Sequence, residues 1–154
     1  MSDNRTAADL RRRDFLAAAG VGAVAVATLP RMAKAEPKDA DALVAKLIGG
    51  AQPKEGKVKI QMKDMAESGA AEPIAVTVES PMTAADHVKA LHIVSEGNPN
   101  PGVSSWHFTP RSGKAEVSFR MRLGKTQVVR AYAVMSDGSV YMDKHEIKVT
   151  ISGC

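Results

Sequence analysis

Residues 115–123 alternate without interruption: Val117, Phe119, Met121 and Leu123 fall on one side of an extended chain, and Glu116, Ser118, Arg120 and Arg122 on the other. Period two marks a strand with one buried and one wet face, and such a strand requires a sheet and a second layer to cover it. The rest of the chain supplies both. Residues 58–62 alternate briefly. Residues 74–78 follow Pro73, and residues 88–94 follow the Ser80-Pro81 turn. A further run ends at Phe108, before Pro110 and Ser112-Gly113, and residues 126–135 are rich in β-branched side chains. Asp137-Gly138 then separates two strand-like runs, the pattern of a type I′ hairpin, and residues 140–151 return with Ile147, Val149 and Ile151 on one face.

One segment breaks the pattern. Residues 39–48 open with Asp39 and Asp41, place Leu43, Val44, Leu47 and Ile48 at helical spacing, and stop at Gly49-Gly50. A short amphipathic helix followed by six or seven strands predicts an all-β fold, an immunoglobulin-like antiparallel β-sandwich preceded by a short N-terminal helix; a small barrel is the alternative. Without the first 35 residues the chain keeps about 119, enough to bury roughly 65% of its unfolded surface without disulfides.

Those 35 residues look like a leader. Arg12, Arg13, Asp14, Phe15 and Leu16 have the form of a twin-arginine export signal, and residues 15–29 are an uncharged Ala, Gly and Val run. At roughly 15 residues the run is too short for a membrane-spanning helix, which needs about 20. Ala33 and Ala35 supply the small side chains of a cleavage site, so the cut is expected before Glu36. Arg11 and Ala17 depart from the usual pattern, which weakens the route more than the export itself. The expected organisation is residues 1–35 as a twin-arginine signal peptide, 36–151 as the sandwich domain and 152–154 as a C-terminal arm, with a periplasmic mature protein that leaves the membrane after cleavage.

The net charge of +4 has the same origin. Six basic and three acidic residues lie in positions 1–35, and without them the 21 basic and 17 acidic residues of the chain balance to about +1. No basic stretch interleaved with aromatics remains, so nucleic acid is not an expected partner.

The chemistry narrows to one atom. Cys154 is the single cysteine. In an oxidising compartment a lone thiol pairs between molecules or stays free and reactive. Its place after the final strand, beyond Ser152 and Gly153, favours an exposed group over a buried structural cysteine. Competing constellations are weaker. The nearest pair among His87, His92, His107 and His145 is five apart, on opposite faces of a strand, so no convergent metal site is read. A copper site would want His and Met closely following the Cys, and nothing follows Cys154. Ser104, Ser105 and Ser118 lack a nucleophile motif. The methionines are scattered singly, as core filler is, and Trp106 and the two tyrosines read as core or interface anchors. No enzyme, metal or cofactor is expected.

Glu79-Ser-Pro-Met-Thr83, the Asn-Pro-Asn-Pro of residues 94–101, Phe108-Thr-Pro-Arg-Ser-Gly113, Phe119-Arg-Met-Arg-Leu123, Met135-Ser-Asp-Gly-Ser139 and Val149-Thr-Ile-Ser-Gly-Cys154 together resemble the SoxY family, the sulfur carriers of periplasmic thiosulfate oxidation. The resemblance implies a non-catalytic carrier that holds thiosulfate-derived sulfur covalently on Cys154, with Ser152 and Gly153 as arm residues. It further implies a SoxZ-like sandwich subunit as heterodimer partner, heme cytochromes that load the thiol, a manganese hydrolase that releases sulfate, and the twin-arginine translocase as the export partner. The family arm usually reads Gly-Gly-Cys-Gly-Gly. Here Ser152 replaces the first glycine and the sequence stops at the cysteine. A carboxylate on that residue would oppose thiolate formation by about 0.6 pKa units. Two other readings stay open: a SoxY-like paralogue carrying another thiol-reactive group, and an exported structural sandwich with an interchain disulfide. Partner surfaces expected from the pattern are the sandwich edges and the strand face bearing Val128, Arg130 and Tyr132, a face that could equally be solvated.

Overall fold

The computed structural model describes residues 37–151. The expected export residues Arg12, Arg13, Phe15 and Leu16, the cleavage residues Ala33 and Ala35, and the arm Ser152, Gly153 and Cys154 lie outside the described residues.

Helix α1 (Pro37–Leu47) carries Asp39 in its first turn and Lys46 in its last, the arrangement the helix dipole favours. It begins two residues earlier than the spacing suggests. Gly49 (φ +63°) and Gly50 (φ +77°) end it, because left-handed backbone is open to glycine at little strain.

Nine strands follow in two sheets, an immunoglobulin-like sandwich as the patterning predicts. The larger sheet runs β1 (Lys54–Glu55), β9 (Val140–Ile151), β8 (Gln127–Met135), β5 (Val88–Ser95), β6 (Gly102–His107), with β3 (Met65–Ser68) also paired to β9. The smaller sheet is β2 (Val58–Gln61), β4 (Glu72–Val78), β7 (Ala115–Met121). Pairs such as Ile74 with Phe119 and Val76 with Val117 set the register of β4 on β7. The inner faces meet in a core that includes Ile74, Val76, Leu91, Ile93, Leu123, Val129 and Ile147, each at most 1% exposed. β7 ends its sheet, so its inner residues Val117 and Phe119 remain half-buried, and Phe119 stacks at a tilt on Trp106 of β6 with ring centroids 4.9 Å apart.

Two short strands have no counterpart in the sequence pattern. β1 and β3 pair parallel to β9. At two and four residues they are too short to show a period, and their hydrogen bonds come from the neighbour rather than from alternation.

The hairpin between β8 and β9 sits where Asp137-Gly138 places it, but its turn is not type I′. A type I′ turn needs positive φ at both central residues, and here only Gly138 (φ +83°) has it. The Gly138 N–H donates to the Met135 carbonyl and the Met135 N–H to the Ser139 carbonyl. The turn is centred on Ser136 and Asp137, with Gly138 as a left-handed bulge residue. Asp137 accepts from both the Ser139 N–H (2.8 Å) and its hydroxyl (2.6 Å), which hold its carboxyl below the ordinary value.

Every residue of β5 except Lys89 is buried. One of its faces belongs to the core, and the other lies under α1: Ala40 and Val44 pack with Val94, Tyr132 and Val140. Leu43 Cδ2 comes within 3.1 Å of where a Cβ on Gly102 would stand. The strand face bearing Arg130 and Tyr132, read from the sequence as a partner surface or a solvated face, is therefore covered at Tyr132 (3% exposed) by the chain's own helix. The alternation of β8 puts Val128, Tyr132 and Val134 on this face beside Arg130, but does not show which element covers them.

Candidate functional site

The C-terminal half of β9 defines where residues 152–154 begin. Between residues 148 and 151 it is flanked by β3 and by the loop that precedes β8. Gly69, just beyond β3, donates its N–H to the Ile151 carbonyl at 2.8 Å, and its own carbonyl accepts the Leu123 N–H at 2.8 Å. One buried glycine residue thus ties the last described residue of the chain to the 122–126 loop. On the same strand the Val149 N–H donates to Thr126 Oγ1 at 3.0 Å. Ile151 itself is 64% exposed.

A polar node fixes that loop from below. Asn98 Oδ1 accepts from the Gly124 N–H (2.9 Å) and from Gln127 Nε2 (3.0 Å), while Asn98 Nδ2 donates to the Arg122 carbonyl (2.7 Å). Gln127 Oε1 in turn accepts the Ser95 hydroxyl and the Gly97 N–H (2.8 Å). Ser95 and Gln127 are buried polar residues, and these bonds satisfy them where water cannot. A Cβ on Gly97 would lie 2.8 Å from Gln127 Cβ, so the Asn98-Pro-Asn-Pro loop can approach β8 only through a glycine. The Ser95 N–H bond to the Pro101 carbonyl (2.8 Å) together with the Asx bond of Asn100 to the Gly102 N–H (3.2 Å) makes this loop a rigid turn. Glu96, Gly97, Lys125, Thr126 and Gln127 line a shallow cleft of about 190 Å³ beside the node. A larger hollow of about 310 Å³, formed by Glu55, Gly56, Met142, Asp143 and Lys144, lies near the start of β9, away from the Ile151 end.

Arg122 and Lys125 are exposed on this loop. Neither belongs to an ion pair among the described residues. They carry no motif; the only sequence signal is that Arg122 continues the outward register of residues 116, 118 and 120.

One arginine, by contrast, is committed. Arg130 on β8 donates to Asp41 of α1 (2.7 Å) and to Tyr132 Oη (3.3 Å), and bridges to Glu96. Burial opposes its charge, yet the hydrogen bonds to Tyr132, Asp41 and Glu96 outweigh that and raise its pKa above the ordinary guanidinium value.

The histidines end up differently from their spacing. His87 precedes β5. His92 and His107, fifteen apart in sequence, meet across the β5–β6 ladder with ring centroids 6.4 Å apart, edge to face. His92 is 6% exposed and its Nδ1 lies 2.8 Å from Ser105 Oγ. Burial, then the proximity of His107, lowers its pKa. Among the described residues no three His, Cys, Asp or Glu side chains converge as metal ligands would, and no helix is long and apolar enough to cross a membrane.

A family model, sulfur oxidation protein SoxY, matches residues 44–154, from the second half of α1 through the Ile151 terminus to Cys154. The chain belongs to the SoxY family. Among solved structures, the sulfur carrier protein SoxY from Chlorobium limicola f. thiosulfatophilum is 31% identical, with a TM-score of 0.62 over 72% of this chain and 96% of that one. A superoxide reductase (neelaredoxin) from Ignicoccus hospitalis is 24% identical over 61% of this chain and 80% of that one, TM-score 0.55. A putative superoxide reductase from Thermotoga maritima is 17% identical over 63% and 93%, TM-score 0.53. The last two share the sandwich with this SoxY-family chain and nothing finer. Among curated protein sequences none matches.

Proposed function

We propose that this protein is a periplasmic sulfur carrier that holds thiosulfate-derived intermediates on Cys154. The observation that carries the reading is the family match that extends to Cys154, together with 31% identity to a SoxY sulfur carrier almost all of whose chain is covered. β9 supports it physically: it is the longest strand, pinned on both sides by β3 and Thr126, and it delivers the single cysteine three residues beyond a fixed, exposed Ile151. Ser152 and Gly153 serve as the arm, being small and without a large side chain to lodge.

In this reading the sandwich is a handle and the reactions belong to other proteins. The thiolate and thiosulfate join through a new S–S bond, giving Cys–S–S–SO₃⁻ and two electrons, which a heme cytochrome accepts. Water then cleaves the terminal sulfonate as sulfate, with release of two protons, and leaves Cys–S–S⁻ on the carrier; a manganese hydrolase of the pathway performs that step. No resident cofactor is required, since the sulfur adduct is cargo. A SoxZ-like sandwich is the partner subunit, and Arg12, Arg13, Phe15 and Leu16, with cleavage after Ala35, bring the folded protein through the twin-arginine translocase.

The test is the intact mass, with and without reductant, of the protein isolated from the periplasm of cells given thiosulfate. Reductant-labile additions of sulfur or thiosulfonate on Cys154, absent in Cys154→Ser, are expected, and Cys154→Ser should abolish thiosulfate-dependent respiration. An unmodified mass with unchanged respiration in the variant would refute the carrier role; a disulfide-linked homodimer would favour a structural module.

A further inference from the structure

We infer that the 120–125 segment is an anion-recognition site for the sulfonate end of the load, with Arg122 and Lys125 as its cationic groups. The inference rests on the reading of Cys154 as the attachment point and adds a binding surface to it.

The placement is fixed by backbone. Leu123 and Ile151 bond the two backbone groups of the same residue, Gly69, each at 2.8 Å, so Arg122 and the emerging chain start with that one residue between them. The Arg122 carbonyl and the Gly124 N–H are both held by Asn98, so the loop is a rigid platform rather than a tether. From Ile151 three extended residues reach at most about 10 Å, so an arm that turns toward the loop can bring a load on Cys154 to it.

Arg120, Arg122, Lys125 and Lys148 lie on the segments that meet here, with Asp64, Glu67, Glu72 and Glu96. Arg130 already neutralises Glu96, and the Arg120 guanidinium donates to the Ala71 carbonyl at 3.1 Å. Arg122 and Lys125, like Arg120 and Lys148, pair with no carboxylate among the described residues, and of these four they are the two on the braced loop. An arginine fork and an ammonium suit a group with three acceptor oxygens and a net negative charge. A thiosulfonate or sulfonate adduct has that form, whereas a bare persulfide does not. The site would hold oxidised loads and let the desulfonated carrier go.

The experiment compares two thiol reagents on the reduced full chain. Tetrathionate is a dianion: the Cys154 thiolate attacks its central S–S bond, forms Cys–S–S–SO₃⁻ and expels thiosulfate, with no net oxidant required. 2,2′-Dithiodipyridine exchanges with the same thiol but is neutral. The readout is the ratio of the two rate constants, which cancels any change in thiolate fraction. If the two cations act from about 10 Å, as the proposal requires, Arg122→Gln/Lys125→Gln should lower the tetrathionate ratio roughly five- to ten-fold at about 10 mM ionic strength and about two-fold at 0.15 M. A Lys59→Gln/Lys89→Gln control, equal in charge but placed near the other ends of β4 and β5, should leave it within about 1.5-fold at 0.15 M, where separations beyond a Debye length are screened. An unchanged ratio in the loop variant, or an equal fall in the control, overturns the recognition site and leaves the carrier intact. If neither reagent modifies Cys154 in the wild type, the carrier reading falls and this site with it.

Discussion

Arg130 and Arg122 are eight residues apart in one sequence and belong to opposite kinds of surface. Arg130 sits under α1 with its side chain 17% exposed, spending its donors on Asp41, Glu96 and Tyr132. Arg122 stands on a loop whose backbone is fully braced but whose side chain has no partner among the described residues. The first arrangement converts charge into fold stability, because a half-buried ion loses much of its hydration and must be repaid by hydrogen bonds. The second leaves charge available in water, where it stabilises little and can meet something else. Reading function from this molecule means asking which cations the fold has already used.

That contrast breaks first at Arg130. Arg130→Met keeps the hydrocarbon packing but strands Glu96, 20% exposed, beside the helix-covered face, and should destabilise the protein by about 2–3 kcal/mol in urea titration. Adding Glu96→Gln should recover part of that loss, since the uncompensated charge and not the missing bridge is the larger penalty. The share lost through Asp41, whose side chain is 64% exposed, should be under about 1 kcal/mol. Additive single and double variants would mean that the network is not coupled. Gly97→Ala should follow at about 2 kcal/mol: its new Cβ meets Gln127 Cβ at 2.8 Å, an atom fixed close to the β8 backbone, so either the loop or the strand must shift. The same variant should raise hydrogen exchange at Gly124 and Leu123, because the node that braces the loop is displaced.

How much of this was legible in the sequence follows from the range of each interaction. The sandwich, the helix over 39–48 and the position of the β8–β9 turn are local patterns, and residues 115–123 alone set the period. β1 and β3 were not legible, being two and four residues long and held by a partner some eighty residues away. The turn type is not legible, because Asp-Gly is compatible with more than one hairpin geometry and only the register across Val134 and Val140 decides. At the site, Cys154 is visible as a lone thiol in a family frame, whereas the neighbourhood of Ile151 is assembled by Gly69, Asn98 and Thr126 from three distant loops. The meeting of His92 and His107 was hidden likewise, since residues fifteen apart become neighbours only once the strand pairing is known.

His92 offers a smaller effect that separates burial from charge. Its pKa is depressed by burial first and by His107 second, so the folded state keeps it neutral where the unfolded chain would protonate it. The stabilising contribution of the neutral ring is therefore present above the ordinary histidine pKa of about 6.5 and is lost as pH falls below it toward the folded value. Thermal unfolding of the wild type should lose ground to His92→Phe as pH drops from about 7.5 to 5; a constant gap in Tm would show that His92 is not protonated differently in the two states.

The smallest effect is the most informative about the comparison. Arg122→Gln/Lys125→Gln should change unfolding free energy by no more than about 0.5 kcal/mol, as exposed residues without partners do. The loop is held through the Arg122 carbonyl, the Gly124 N–H and Thr126 Oγ1, and none of these belongs to the substituted side chains. A loss of 2 kcal/mol or more, comparable to Arg130→Met, would place both cations in the structural class and remove the distinction between the two surfaces. A neutral result, set beside a large loss at Arg130, would show that the charge at the root of the arm contributes nothing to holding the fold together and is free to act on what the arm carries.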